Sequence, residues 1–241
     1  MIGLSPDYLT RDAITAHESP NPEFTPKSGT RRRFNMKMNS IEKLVMNSPI
    51  RSWFLRHVEA PILLERSTGL RDRNVLELGC GQGVGTELLF SLFGANHVTA
   101  IDIDPEMIGR ARARLEPHFE GRLVLVVGDA TEIQASENAF DAVVDFSALH
   151  HVPNWQQAVS EICRVLKPGG EFIFEEVTAQ WIRRWPYRSL FRHPQENRFS
   201  VVDFLQGLEA RHLIVGNNFI EKKKGDFVFG VAIKAANSRV T

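Results

Sequence analysis

Along residues 1–35 the apolar positions keep no period, and Pro6, Pro20, Pro22 and Pro26 interrupt any helix. This stretch reads as a disordered N-terminal extension. From Met36 the pattern changes. Met38, Ile41, Leu44 and Val45, then Trp53, Phe54 and Val58, recur at spacings of three and four, which predicts amphipathic helices over 38–46 and 49–66. Between them Asn47-Ser48-Pro49 supplies a break, with Asn47 or Ser48 as N-cap and Pro49 at the first helical position. Residues 36–69 thus form a helical cap ahead of a main domain at 70–241.

From Arg73 short apolar runs alternate with helical periods. Strands are predicted from Asn74 to Leu78, His97 to Asp102, Arg122 to Val127, Phe140 to Phe146 and Glu171 to Glu176. Helices are predicted at Thr86–Phe93, Pro105–His118, Trp155–Leu166 and Val202–Arg211, the third stopped by Lys167-Pro168-Gly169-Gly170. Leu213–Glu221 and Phe227–Lys234 read as two final strands across the turn-like Lys222–Asp226. Only that last pair can be a simple hairpin, so the sheet is expected to be antiparallel only there. Repeated βα units ending in a hairpin predict an α/β, doubly wound, Rossmann-like seven-stranded sheet.

Composition adds little until it is read by segment. The chain has 29 basic and 29 acidic residues, a net charge of zero, which argues against a general nucleic-acid binder. Residues 1–26 set Arg11 against four acids, whereas residues 27–57 carry eight basic residues against Glu42 alone, a net of +7. That basic arm is either a solvated face or a contact for an anionic substrate or membrane surface. Two cysteines, Cys80 and Cys163, imply no disulfide framework. No apolar run reaches the roughly 18 residues of a membrane span, and no signal-peptide pattern opens the chain. The expectation is a cytoplasmic protein. No CxxC or HExxH spacing occurs, so no metal site is expected.

The first strand runs into Glu77-Leu-Gly79-Cys-Gly81-Gln-Gly83-Val-Gly85. Glycines after a strand permit positive φ and close approach of a ligand. A dinucleotide fingerprint, G-x-G-x-x-G, would need glycine at Val84 or Thr86, and neither fits. An acid precedes the glycines instead.

This segment resembles motif I of the class I S-adenosylmethionine-dependent methyltransferases. Asp102, 19 residues after Gly83, stands where that family places the acid for the ribose hydroxyls. Ile103 stands where an apolar residue packs on adenine, and Gly128-Asp129-Ala130 where an acid meets the adenine amino group. Phe140–His151 resembles the fourth-strand motif, which adds Phe146 to the cofactor-binding set, and Arg164–Gly170 the turn before strand five. The resemblance spans about 70–235 and is closest to the small-molecule branch. It implies S-adenosylmethionine as cofactor, held by Glu77, Gly79, Gly81, Gly83, Asp102, Ile103, Asp129, Ala130 and Phe146.

The chemistry of the residues agrees with that implication. A ligand with an amino group and a sulfonium is cationic and phosphate-free, and it suits acids better than a phosphate cradle would. Asp102 and Asp129 also read as loop caps, and Asp104 as the cap of the helix at Pro105. An alcohol acceptor needs a base, for which His150, His151, Glu175 and Glu176 at the ends of strands four and five are the candidates. Adjacent strand residues face opposite ways, so at most one of each pair is expected to face a substrate. The histidines read equally as a structural turn before Trp155.

A second addition, an insertion at about 179–200, interleaves Trp181, Trp185, Tyr187 and Phe191 with Arg183, Arg184, Arg188 and Arg192. It reads as a packed cap, as a lid over an apolar or anionic substrate, or as an interfacial helix in peripheral contact with a membrane. Together these features predict methyl transfer to a small, apolar molecule by in-line displacement. The alternative is a silent cofactor-binding or regulatory protein on the same fold. Oligomeric state is not legible.

Overall fold

A computed structural model describes residues 48–183 and 197–236. The expected helix at 38–46, the 1–35 extension, Trp185, Tyr187 and most of the basic insertion lie outside the described residues.

The chain enters as one helical run, α1, made of Pro49–Phe54, a π-helical turn Leu55–Glu59, and Ala60–Leu64. Ser48 caps it by accepting from the Arg51 amide, with Pro49 at the first position, as the break in pattern predicts. There follow β1 (Asn74–Leu78), α2 (Val84–Ser91), β2 (His97–Asp102), α3 (Pro105–Phe119), β3 (Leu123–Val127) and β4 (Phe140–Phe146). A 3-10 turn at Leu149–His151 leads to α4 (Trp155–Val165), β5 (Leu166–Val177), α5 (Ala179–Ile182) and α6 (Val201–Glu209). The chain ends in β6 (Leu213–Ile214), β7 (Phe219–Lys222) and β8 (Phe227–Lys234).

The sheet order is β3-β2-β1-β4-β5-β8-β6, with β7 also paired to β8. Strands β1 to β5 are parallel, and β8 runs antiparallel to β5, β6 and β7. Winding reverses between β1 and β4, so a crevice opens beyond their carboxyl ends. Residues of the parallel strands feed two cores by alternation. Phe172 and Phe174 pack with Trp155 and Phe204 on one face, while Ile173 packs with Leu63, Leu88 and Ile108 on the other. Burial on both faces is why these strands read as near-continuous apolar runs. Leu55, Ala60 and Leu63 of α1 are buried in that second core, which brings α1 against β5 and β8.

Three sequence expectations are corrected. The strand expected at Leu213–Glu221 is two short strands, because Gly216 takes a positive φ and breaks the run, giving eight strands among the described residues instead of seven. The antiparallel relation is not confined to the last hairpin, since β8 inserts beside β5. Lys167–Gly170 is not a break between helix and strand, since α4 ends at Val165 and β5 already begins at Leu166. It forms a bulge inside β5, where the register on β4 shifts between Phe140 and Ala142.

Candidate functional site at the carboxyl ends of the strands

The loop after β1 is built by its glycines. Gly79, Gly81 and Gly83 have φ of 62, 54 and 85°, and Gly83 caps α2. A Cβ on Gly79 would stand 2.4 Å from Ala148 Cβ, and one on Gly83 2.5 Å from Leu115 Cδ1. At Gly81 a Cβ would meet nothing within 4 Å, so this glycine faces open space. Gly85 lies in the first turn of α2, where a Cβ would come 2.2 Å from Glu77 Oε1 and 2.6 Å from Phe146 Cδ2. The α2 backbone is thereby pressed onto the end of β1 and β4.

Acids line the neighbouring strand ends. Glu77 on β1 is buried and accepts a hydrogen bond from the Thr86 hydroxyl. Burial raises its pKa to about 8, the Thr86 bond opposes that, and the charges of Asp102 and Asp145 add to it. Asp102 closes β2. Its two oxygens accept from the Gly81 and Asp104 amides, each at 2.8 Å, so the carboxylate locks the glycine loop to the end of the neighbouring strand. Ile103 follows, half-buried. Asp129, also half-buried, accepts from the Thr131 amide and hydroxyl at 2.8 Å, an Asx-turn arrangement. Ala130 packs against the first core, and Phe146 is buried beside Phe93. Asp104 caps α3 through the Glu106 amide, as expected.

At the ends of β4 and β5 the pattern of alternation separates the two glutamates. Glu175 faces α1. It accepts from the Ser147 hydroxyl at 2.8 Å and lies 3.5 Å from Arg51, which also pairs with Glu59. Burial and the Glu175 charge push the Glu59 carboxyl above the usual range, against the pull of Arg51. The π-helical turn contributes Glu59 to this trio. Glu176 faces the opposite way and is fully buried. It accepts from the Leu149 amide at 2.6 Å, the His150 amide at 3.3 Å and the Val177 amide at 3.2 Å, and its Oε2 lies 2.8 Å from His150 Nδ1. The next acid is Asp145 on β4, fully buried, whose Oδ1 accepts from the Ala148 amide.

The His150 ring lines a small cavity with Trp155, Val177, Ile182, Arg198 and Phe199. The His151 ring lies against it at a 40° tilt, 4.1 Å between ring centroids, and is the more exposed of the two. Trp181 packs at 5.8 Å from Phe227. Among the described residues no group of three His, Cys, Asp or Glu side chains is placed to hold a metal ion. No described helix is long and apolar enough to cross a membrane.

Sequence reasoning missed Gly85, Arg51, Glu59 and Asp145. Asp145 left one usable signal. It is an acid inside Phe140-Asp-Ala-Val-Val-Asp-Phe, a strand otherwise apolar near its end, and a buried carboxyl there demands a partner. The arginine and glutamate of α1 left none, because their partner is more than a hundred residues away.

Residues 76–174 match a family model described as a methyltransferase domain. The chain is 40% identical over 116 residues to a demethylmenaquinone methyltransferase of Leptospira interrogans, a match covering 46% of each chain. It is 32% identical over 114 residues to a fatty-acid O-methyltransferase of Mycolicibacterium smegmatis, covering 47% of this chain and 40% of that one. These matches span less than half the length of the curated relatives. A solved S-adenosylmethionine-dependent methyltransferase from Mesorhizobium loti shares the fold at a TM-score of 0.61 and 17% identity, over 72% of this chain and 96% of that one. The glycine loop, the strand-end acids and the 3-2-1-4-5 strand order lie within or beside the stretch that matches the methyltransferase-domain model, and over that stretch the chain is similar to S-adenosylmethionine-dependent methyltransferases.

Proposed function

We propose that this chain binds S-adenosylmethionine beside the Gly79–Gly85 loop and transfers its methyl group to an apolar small-molecule acceptor. The observation that carries the reading is the set of buried acids, Glu77, Asp102 and Asp145, on adjacent strand ends around a glycine loop that opens at Gly81. Burial raises the Glu77 carboxyl to about 8, a shift that a positively charged ligand beside it opposes. When bound, S-adenosylmethionine supplies an activated methyl group on a sulfonium. Glu77 is placed to receive a positive group, and Asp102, already fixed by two backbone amides, to receive the hydroxyls of a ribose. Ile103, Asp129, Ala130 and Phe146 complete the cofactor side.

The acceptor side rests on the cavity by His150, whose walls include Trp155, Val177, Ile182 and Phe199. Relatives named for a fatty acid and for demethylmenaquinone support an apolar acceptor, while His150, Asn197 and Arg198 add polar groups to the cavity wall. His150, at the cavity wall, and His151 beside it are candidate bases, while Glu175 and Glu176 serve behind them. Residues 70–241 act as the transferase domain in this reading, with 36–69 as its cap and Trp181, Trp185 and Tyr187 on a substrate-side insertion at about 179–200.

Two measurements test the proposal. Calorimetry with S-adenosylhomocysteine should give saturable one-site binding, and no binding would overturn the cofactor assignment. Incubation with methyl-labelled cofactor and cell extract fractionated by polarity should label apolar fractions. Label confined to polar fractions would overturn the acceptor class.

A further inference from the structure

Asp145 is the acid of that buried set to which the cofactor reading assigns no group of the ligand. It is wholly buried, and its Oδ2 has no hydrogen-bond donor. The polar side chain that faces it is Glu176, itself wholly buried. Two carboxyl groups that meet out of water cannot both be ionised at low cost. One must hold a proton, and that proton must lie between them.

The surroundings decide which carboxyl holds it. Glu176 is surrounded by donors: the amides of Leu149, His150 and Val177, and His150 Nδ1 at 2.8 Å. Such an environment favours the carboxylate. Asp145 receives one amide, that of Ala148. Of the other groups bearing on this pair, Glu175 is negative and opposes a second ionisation, whereas His150 acts in the opposite sense on Asp145. A carboxylate at Glu176 in turn calls for a hydrogen on His150 Nδ1, which leaves Nε2 as the acceptor nitrogen of that ring.

We propose that Asp145 is a positioning residue: a neutral carboxylic acid that donates its proton to Glu176, so that Glu176, as a carboxylate, fixes His150 in the Nδ1–H tautomer at the cavity wall. Burial and the charge of Glu176 raise Asp145 well above the ordinary aspartate range, in keeping with that assignment. The consequence for the site is a ring that is pinned at one nitrogen and can take up a proton at the other. The inference rests on the proposed function only for its use of that proton, since the acid–carboxylate–imidazole chain is a property of the protein by itself.

The test compares two replacements. An asparagine at 145 offers an oxygen to the Ala148 amide and an NH₂ to Glu176, reproducing a neutral acid, whereas an alanine offers neither. Carboxyl-carbon NMR at pH 7 should show a protonated aspartate in the wild type that is missing in Asp145→Asn. Long-range proton–nitrogen NMR, with His150 assigned through His150→Gln, should show the Nδ1–H tautomer in the wild type and in Asp145→Asn. In Asp145→Ala that tautomer should give way to a mixture. An ionised Asp145 at pH 7, an Nε2–H His150 in the wild type, or an asparagine variant that behaves like the alanine variant would each overturn the proposal. Should Asp145→Ala not fold, the first two readings on the wild type still decide. Binding of S-adenosylhomocysteine, measured separately, reports on the proposed function alone.

Discussion

The carbon that Gly85 lacks would stand 2.2 Å from Glu77 Oε1. A glycine in the first turn of α2 is therefore what lets a buried carboxylate and an aromatic ring, Phe146, share the floor of the crevice. Gly85→Ala should cost about 1–3 kcal/mol of stability, because neither neighbour is the loose end of a surface side chain. Chemical denaturation measures that loss. Calorimetry with S-adenosylhomocysteine should show weaker binding as Glu77 is displaced.

Asp102 ties the glycine loop to β2 through the Gly81 and Asp104 amides. Asp102→Ala leaves both donors without their acceptor and should weaken S-adenosylhomocysteine by about 1–3 kcal/mol, or roughly five- to 150-fold. An unchanged affinity by calorimetry would remove Asp102 from the binding set.

Arg51 is the cation between Glu59 and Glu175. Arg51→Met deprives two buried acids of their positive partner and should destabilise by about 3 kcal/mol. Adding Glu59→Leu should recover part of that loss, since it removes one of the stranded charges. Urea midpoints of the single and double variants make the comparison.

Stability should fall as pH rises above neutrality. Burial raises Glu77 to about 8, whereas an unfolded glutamate titrates near 4.3. A folded-state pKa above the unfolded value means that the folded chain binds more protons between those limits. The stabilisation is complete below about pH 4 and is lost as pH climbs through about 8. Denaturation at pH 6 and pH 8.5 should place the midpoint lower at pH 8.5, and Glu77→Gln should flatten the difference. A midpoint that rises instead would mean that this acid is ionised in the fold.

How far the sequence reached can be judged residue by residue. The glycine loop, Asp102 and the caps Ser48 and Asp104 were legible because each acts on chain a few residues away or at a fixed distance within a βα unit. The strands were legible because burial on both faces leaves an apolar run. Asp145 and Gly85 were not, since their meaning lies in the side chains that face them from other elements, Glu176 and Glu77. The split at Gly216 and the bulge at Lys167–Gly170 were misread because glycine punctuation marks a turn without saying whether the ladder resumes beyond it.

Glu77 has one more consequence. In the chain by itself this carboxyl keeps its proton up to about pH 8, so its seat is electrically neutral at pH 7. A positive group arriving there displaces that proton, and uptake of the ligand becomes an ion exchange in which one hydrogen ion leaves for one cation that enters. Apparent affinity should then climb with pH until about 8 and level off. The heat of binding at pH 7 should vary with the ionisation enthalpy of the buffer, and that dependence should vanish in Glu77→Gln. The fold keeps the electrical load of its crevice nearly constant whether the ligand is in or out.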